Sequence, residues 1–381
     1  MSTLRLVPGT PDAVLSALTA VLDGSGTPFA PVPADRAAAE RVRQAVAPDE
    51  PLEDDCAVIL TTSGSSGEPK GVMLSRSALL ASATATHERL GGPGQWLLPM
   101  QPYFVGGLQV LTRSVLAGFA PVVAADHASF AEAVAALTGP RKYTAMVPTQ
   151  LARYLDTELA ALLSFDAIVI GGASMPADLK ARAQAAGLTA IPAYGMTETG
   201  SGCVYAGEPL AGTSLRLEDE RILISGPTLF SGYRLRPRLT AEVFHDGWFR
   251  TQDRGRFVEG RLQVIGRLDD VVISGGVNIT LTAVQARLLE HPGVSDAVVL
   301  GVPDPEWGSR VVAFVVGRPG GGDPERDGPG LDGRGRDELR DFVAEVLPRT
   351  WAPRDVVRLA ALPMLASGKV DRQGLLEGVA R

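Results

Sequence analysis

The chain has 381 residues, 45% of them hydrophobic and 21% charged, with a net charge of -7. That length holds more than one packed core at roughly 100 to 200 residues per domain, and the acidic balance excludes a general nucleic-acid binder, which needs a basic surface. Its two cysteines, Cys56 and Cys203, exclude a disulfide framework and Cys-based zinc spacing, and with neither a signal-like start nor an apolar run of membrane length the expectation is a cytoplasmic protein without membrane insertion.

Apolar positions recur at helical spacing over residues 11–23 and 35–46, so the chain is expected to open with helices and not with a strand. The first strand is predicted over residues 56–60. It runs into Thr61-Thr62-Ser63-Gly64-Ser65-Ser66-Gly67-Glu68-Pro69-Lys70-Gly71. Glycines let backbone NH groups turn toward an anion, hydroxyls add donors and Lys70 offsets phosphate charge, which is the composition of a phosphate cradle. The order is not that of a Walker loop, and the same composition also suits a flexible linker. A helix follows over 75–90 with Ser75 as a cap, then strand 95–98 and helix 108–117. Strands at 120–124, 145–147 and 167–171 alternate with helices at 130–137, 149–163 and 176–186, the rhythm of an α/β domain with a largely parallel sheet.

Gly171-Gly172-Ala173-Ser174-Met175-Pro176 then falls at the carboxyl end of a strand, where such sheets bind ligands. An ordinary tight turn would look the same. Tyr194-Gly195-Met196-Thr197-Glu198-Thr199-Gly200 unites a ring able to stack on a purine, hydroxyls for phosphate and a carboxylate for a divalent cation; Thr197 and Glu198 also suit a helix start. Short β-prone runs at 215–217, 221–224, 248–250 and 262–265 predict a β-rich subdomain, in which Asp253 could accept the hydroxyls of a ribose or simply be solvated. Gly266-Arg267-Leu268-Asp269-Asp270 and Ser274-Gly275-Gly276-Val277-Asn278-Ile279 suit an anion site or an interdomain hinge. Strands 271–274, 294–302 and 310–316 with helices 281–290 and 337–347 predict a compact α+β domain, interrupted at 317–336 by a mobile loop rich in glycine, proline and charge. Lys369, in Ser367-Gly368-Lys369-Val370-Asp371-Arg372, reads on its own as a surface lysine.

From about residue 57 to 372, these segments in this order resemble the adenylate-forming superfamily of acyl-CoA synthetases, nonribosomal peptide adenylation domains and luciferases. The resemblance implies a large N-terminal α/β domain, 1–268, with a β-rich subdomain, and a small mobile α+β C-terminal domain, 269–381. It implies that a carboxylic acid and ATP first give an acyl-adenylate and pyrophosphate, and that a thiol attacks after the small domain rotates. Carried onto this chain, Thr61, Ser63, Gly64, Ser65, Ser66, Gly67 and Lys70 would close over the β- and γ-phosphates. Gly171, Gly172 and Ala173 would line the adenine and acyl pocket, Tyr194 with Gly195 would meet adenine, Thr197 the α-phosphate, and Glu198 would hold Mg2+. Asp253 and Arg267 would fix the ribose, Asp269 would be the hinge, and Gly275 and Gly276 would pass close to the pantetheine of coenzyme A. Lys369 would bridge the α-phosphate and the substrate carboxylate, a role suited to a long flexible cation.

A closer resemblance, to the o-succinylbenzoate-CoA ligases of menaquinone biosynthesis, rests on Pro102-Tyr103-Phe104-Val105-Gly106-Gly107-Leu108-Gln109-Val110-Leu111-Thr112-Arg113-Ser114-Val115-Leu116-Ala117-Gly118. Tyr103 and Phe104 stand where that family usually carries a histidine pair, which removes any role requiring imidazole protonation. Gln252 likewise replaces a common glycine. No acid occurs within residues 102–111 to pair with an α-ammonium group, which argues against amino-acid adenylation. The expected substrate is o-succinylbenzoate, the alternatives being another fatty or aromatic acid or a non-catalytic nucleotide-binding role. Arg113 is a candidate partner for a second substrate carboxylate, or an exposed helical arginine. The oligomeric state is not legible.

Overall fold

The structure, a computed structural model, describes residues 3–63, 69–318, 333–365 and 370–379. The chain divides into two compact units, Met1–Thr251 with Arg256–Gln263, and Gln252–Gly255 with Val264–Arg381.

In the larger unit the chain opens with a strand, Arg5–Pro8, contrary to the helical opening expected. Its four residues lie parallel to Phe29–Val32, which lies parallel to Val58–Ser63. Strands this short carry too few residues to show a period, so the longer helices Pro11–Asp23 and Arg36–Val46 dominate the sequence pattern. The glycine-rich segment departs from expectation as well. It joins Val58–Ser63 to an antiparallel partner, Pro69–Leu74, and not a strand to a helix. Gly232–Tyr233 pairs with the far side of Pro69–Leu74 and completes a five-stranded sheet. The next helix, Arg76–Arg89, starts as predicted: the extended Ser75 accepts the Ala78 N–H at 3.0 Å.

The second sheet has seven strands. Its five parallel members, taken across the sheet, are Val122–Val123, Gln95–Leu98, Lys142–Met146, Ala167–Ile170 and Ala190–Met196, the chain order 2-1-3-4-5. Gln95–Leu98 and Ala167–Ile170 are buried at every residue, as strands covered on both faces must be. In a sheet of this order ligands bind outside the carboxyl ends of the strands. Ser201–Tyr205 and Glu208–Pro209 extend it antiparallel. The single helix expected over 149–163 is two, Pro148–Thr157 and Leu159–Leu162. A third sheet holds Ser214–Glu218, Arg221–Ser225, Trp248–Val258 and Phe244–His245.

In the smaller unit, Val294–Asp304 and Gly308–Gly317 form a long hairpin, joined by Val271–Ser274, Val277–Thr280 and a parallel Asp355–Leu359. Leu281–Leu289 packs on one face, where Val284 and Leu288 share a cluster with Val299, Ala313 and Val315. Leu375 of Arg372–Val379 joins Val298, Leu300 and Phe314 in a second cluster. Of the loop expected over 317–336, Gly317 ends a strand and Gly333–Ala344 is helical; residues 319–332 lie outside the described residues.

Candidate active site

The hairpin sets Thr61 opposite Gly71 and Thr62 opposite Lys70. Gly64, Ser65, Ser66, Gly67 and the side chain of Ser63 lie outside the described residues, as does Lys369. Lys70 is a strand residue at the mouth of the loop, and its ammonium stands 4.9 Å from the centroid of the Tyr233 ring.

Tyr233 also reaches the second sequence motif. Its hydroxyl donates to Glu198 Oε1 at 3.0 Å, and the Phe230 N–H donates to the Glu198 carbonyl at 2.9 Å. Burial, followed by the Glu198 charge, pushes the Tyr233 phenol well above its ordinary range. Glu198 sits in a single 3-10 turn, Thr197–Thr199, and the Thr199 hydroxyl closes that turn, accepting the Met196 N–H at 2.9 Å and lying 2.7 Å from the Ser201 carbonyl. Gly200, at φ +60, and Ser201, at φ +100, then reverse the chain. A non-glycine residue in that region costs of order 1–3 kcal/mol, strain that gathers at functional turns. Gly195 is a point of close approach: a Cβ there would run into the Ser201 carbonyl oxygen.

Tyr194 packs against the cluster of Cys203, Val204, Ile222 and Ile224. On the neighbouring strand Gly171 donates to the Met146 carbonyl, Gly172 turns at φ +82, and Gly172 and Ala173 are exposed at the carboxyl edge of the sheet. Thr61, Lys70, Thr197, Glu198, Tyr194 and Gly171 to Ala173 thus belong to one unit, and Tyr233 ties the first and second motifs together. Sequence reasoning missed Tyr233, because nothing in the spacing of Phe230-Ser231-Gly232-Tyr233 links it to Glu198.

The segment after Gln95–Leu98 carries the acid-pocket candidates. Tyr103 and Phe104 meet with ring centroids 4.7 Å apart, and Tyr103 lies so close over Gly9 that a Cβ there would meet its ring at 2.6 Å. Phe104 is the extended residue from which the helix Val105–Ala117 starts. Arg113, on that helix, is not an exposed arginine. It is 1% exposed, its guanidinium lies over the Trp96 ring at 4.9 Å, and Tyr205 Oη is 3.5 Å away. No carboxylate pairs with it among the described residues, and its Nε has no partner there. Burial pulls its pKa down, and burial together with Arg113 holds the nearby His87 near 4, so that His87 is neutral. Gln109, one turn before Arg113, is fully buried with neither amide atom bonded among the described residues. Arg113 is thus a buried cation with no carboxylate partner among the described residues, and the unbonded Gln109 amide lies one turn away on the same helix.

In the smaller unit, Arg267 forms two 2.7 Å hydrogen bonds to Asp269 and lies 3.6 Å from Asp253. Burial opposes ionisation of Asp269, and the Arg267 hydrogen bonds outweigh it, holding the carboxyl below its ordinary range. Gly275 turns at φ +58 against the Trp307 ring, and the Gly275 N–H donates to the Trp307 carbonyl at 2.9 Å; nothing crowds Gly276. Among the described residues no three acidic, histidine or cysteine side chains gather to cage a metal ion, and no helix is long and apolar enough to cross a membrane. Magnesium at a phosphate site needs only one or two carboxylates, with substrate oxygens and water completing the shell, so Glu198 with its second oxygen free of any intramolecular partner among the described residues fits that ion.

The AMP-binding enzyme family matches residues 6–234, and the AMP-binding enzyme C-terminal domain matches residues 283–369. A probable 2-succinylbenzoate--CoA ligase of Mycobacterium tuberculosis is 42% identical, with 99% of this chain and 98% of that protein covered. The 2-succinylbenzoate--CoA ligase of Bacillus licheniformis is 32% identical over 84% of this chain and 70% of its own. Among solved structures, o-succinylbenzoate CoA synthetase from Bacillus subtilis, in complex with the acyl-adenylate intermediate OSB-AMP, superposes with a TM-score of 0.73 at 26% identity, covering 98% of this chain and 82% of that one.

Proposed function

The chain belongs to the AMP-binding enzyme family, and on that premise we propose that it is an ATP- and magnesium-dependent acid-thiol ligase converting 2-succinylbenzoate to its coenzyme A thioester. One observation carries the geometry: a carboxylate, Glu198, and an ammonium, Lys70, are held on one tyrosine beside the glycine-rich hairpin. A triphosphate needs both, a cation for its oxygens and an acid for the metal that bridges them. The identity of the acid is supported by the relatives' activity and by Arg113, whose buried charge a second substrate carboxylate would complete.

In the first step a substrate carboxylate oxygen bonds to the α-phosphorus of ATP and the bond to pyrophosphate breaks. Lys70 and the hairpin hold the leaving phosphates, Thr197 faces the α-phosphate, and Lys369 offsets charge where the carboxylate attacks. Magnesium, when bound at Glu198, neutralises phosphate charge. In the second step the thiol sulfur bonds to the acyl carbon, AMP departs, and the thiol proton passes to solvent. Gly276, with open space beside it, leaves room for a thin pantetheine arm, and Gly275 makes the turn before it against Trp307. Asp253 and Arg267 hold the ribose, and Asp269, fixed by Arg267, is the hinge. Drawing on ATP and coenzyme A, the enzyme works in the cytoplasm.

A panel of aromatic and aliphatic acids, incubated with ATP, magnesium and coenzyme A and read by product mass, tests this. The thioester of 2-succinylbenzoate is expected to dominate. Turnover of another acid without it would overturn the substrate and leave the ligase chemistry standing.

A further inference from the structure

Tyr233 is buried in the larger unit and held from several sides. It lies in the strand Gly232–Tyr233 opposite Val72, with Phe230 against its ring at 4.9 Å. The next residue locks it from behind: the Arg234 N–H donates to the Gly71 carbonyl, and its buried guanidinium donates to the carbonyls of Val46, Ala47, Glu50 and Pro51 and to the Glu53 carboxylate. From that frame the Tyr233 hydroxyl reaches Glu198 and the ring lies beneath Lys70.

We propose that Tyr233 is a positioning residue that sets both charged groups of the nucleotide site, aiming the Glu198 carboxylate at a divalent cation and seating Lys70 for phosphate. The inference rests on the ligase reading above. A carboxylate on its own rotates freely, and a neighbouring ammonium is its natural partner. Here no ion pair joins Lys70 to Glu198 among the described residues; each meets a different part of one phenol ring instead. The hydroxyl occupies one lone pair of Oε1 and fixes the carboxylate plane, leaving Oε2 to the metal. The ring holds the ammonium by its π face, an attraction weak enough to yield to phosphate. Side chains that orient a metal ligand typically change metal affinity by 10- to 100-fold when removed.

The test is calorimetric binding of ATP to the full chain without any acid, so that nothing turns over, across a magnesium series and with a chelator. Tyr233→Phe keeps the ring and loses the hydroxyl; it is expected to bind metal-free ATP as the parent does and to need about tenfold more magnesium for the half-maximal effect. Tyr233→Leu is expected to lose metal-free affinity too, about threefold to tenfold, since Lys70 loses its ring. In a Glu198→Gln background, Tyr233→Phe is expected to change the magnesium dependence no further. A Tyr233→Phe protein with the parent's magnesium dependence, with equal losses with and without magnesium, or with an additive effect on Glu198→Gln overturns the proposal. A parent that binds no ATP at any magnesium concentration overturns the ligase reading itself, before any variant is compared.

Discussion

The Arg113 guanidinium carbon lies 4.9 Å from the centroid of the Trp96 ring, and both side chains are almost fully buried. A cation in that position without an acid is a liability to the fold. Arg113→Met, similar in length and apolar, is therefore expected to melt at the same temperature or higher. The same change should lower kcat/KM for 2-succinylbenzoate on the order of 100-fold, the usual cost of removing one partner of a buried charge pair. A monocarboxylic analogue without the second acid group should be affected only a few-fold. Equal losses for both acids would show that Arg113 acts through packing and reads no carboxylate.

His87 makes stability depend on pH in a defined window. Its folded pKa is depressed to about 4 from 6.5, first by burial and then by Arg113, so folding favours the neutral ring. The contribution is full above the unfolded pKa, is lost as pH falls from 6.5 through 4, and reaches about 3 kcal/mol. Urea titrations at pH 7, 6, 5 and 4 should show that slope, and His87→Gln should flatten it. Parallel pH profiles for the two proteins would refute the assignment.

Lys369 is expected to serve only the first half-reaction. Lys369→Ala should slow adenylate formation by on the order of a hundred- to a thousandfold, as loss of a well-placed charge-stabilising group does. Conversion of preformed acyl-adenylate to thioester should change little. Pyrophosphate exchange and single-turnover thioester formation measure the two separately, and comparable losses in both would contradict the division of labour.

Gly195→Ala forces a methyl group into the Ser201 carbonyl at the start of the Ser201–Tyr205 strand. Relief requires the strand pair to move, at about 1–3 kcal/mol. Because Tyr194 and Thr197 flank that residue, ATP affinity should fall together with the melting temperature. A variant with reduced stability and undiminished ATP affinity would mean that the displacement is absorbed away from the nucleotide.

Motifs that are contiguous in sequence are legible from the chain alone. The glycine-rich run, the Tyr194 to Gly200 segment and the parallel α/β rhythm all rest on local patterns, and Ser75 is recognisable as a cap because its hydroxyl acts on a residue three positions away. What escapes depends on distant pairing. Arg5–Pro8 is only four residues long, and the second strand of the hairpin begins in Pro69-Lys70-Gly71, which reads as loop. Tyr233 meets Glu198 across 35 residues, and Arg113 is buried beside Trp96 and Tyr205, which lie 17 and 92 positions away.

The last strand of the five-stranded sheet comes from Gly232–Tyr233, and the arginine beside it fastens residues some 180 positions earlier. During synthesis from the N-terminus, Pro69–Leu74 emerges with an open edge and keeps it until residue 233 is made. At roughly 5 to 20 residues per second that interval lasts on the order of ten seconds or more. The nascent chain thus presents an unpaired apolar β edge to its surroundings throughout that interval, and its yield in a cell should depend on ribosome-associated chaperones more than the stability of the finished protein would suggest.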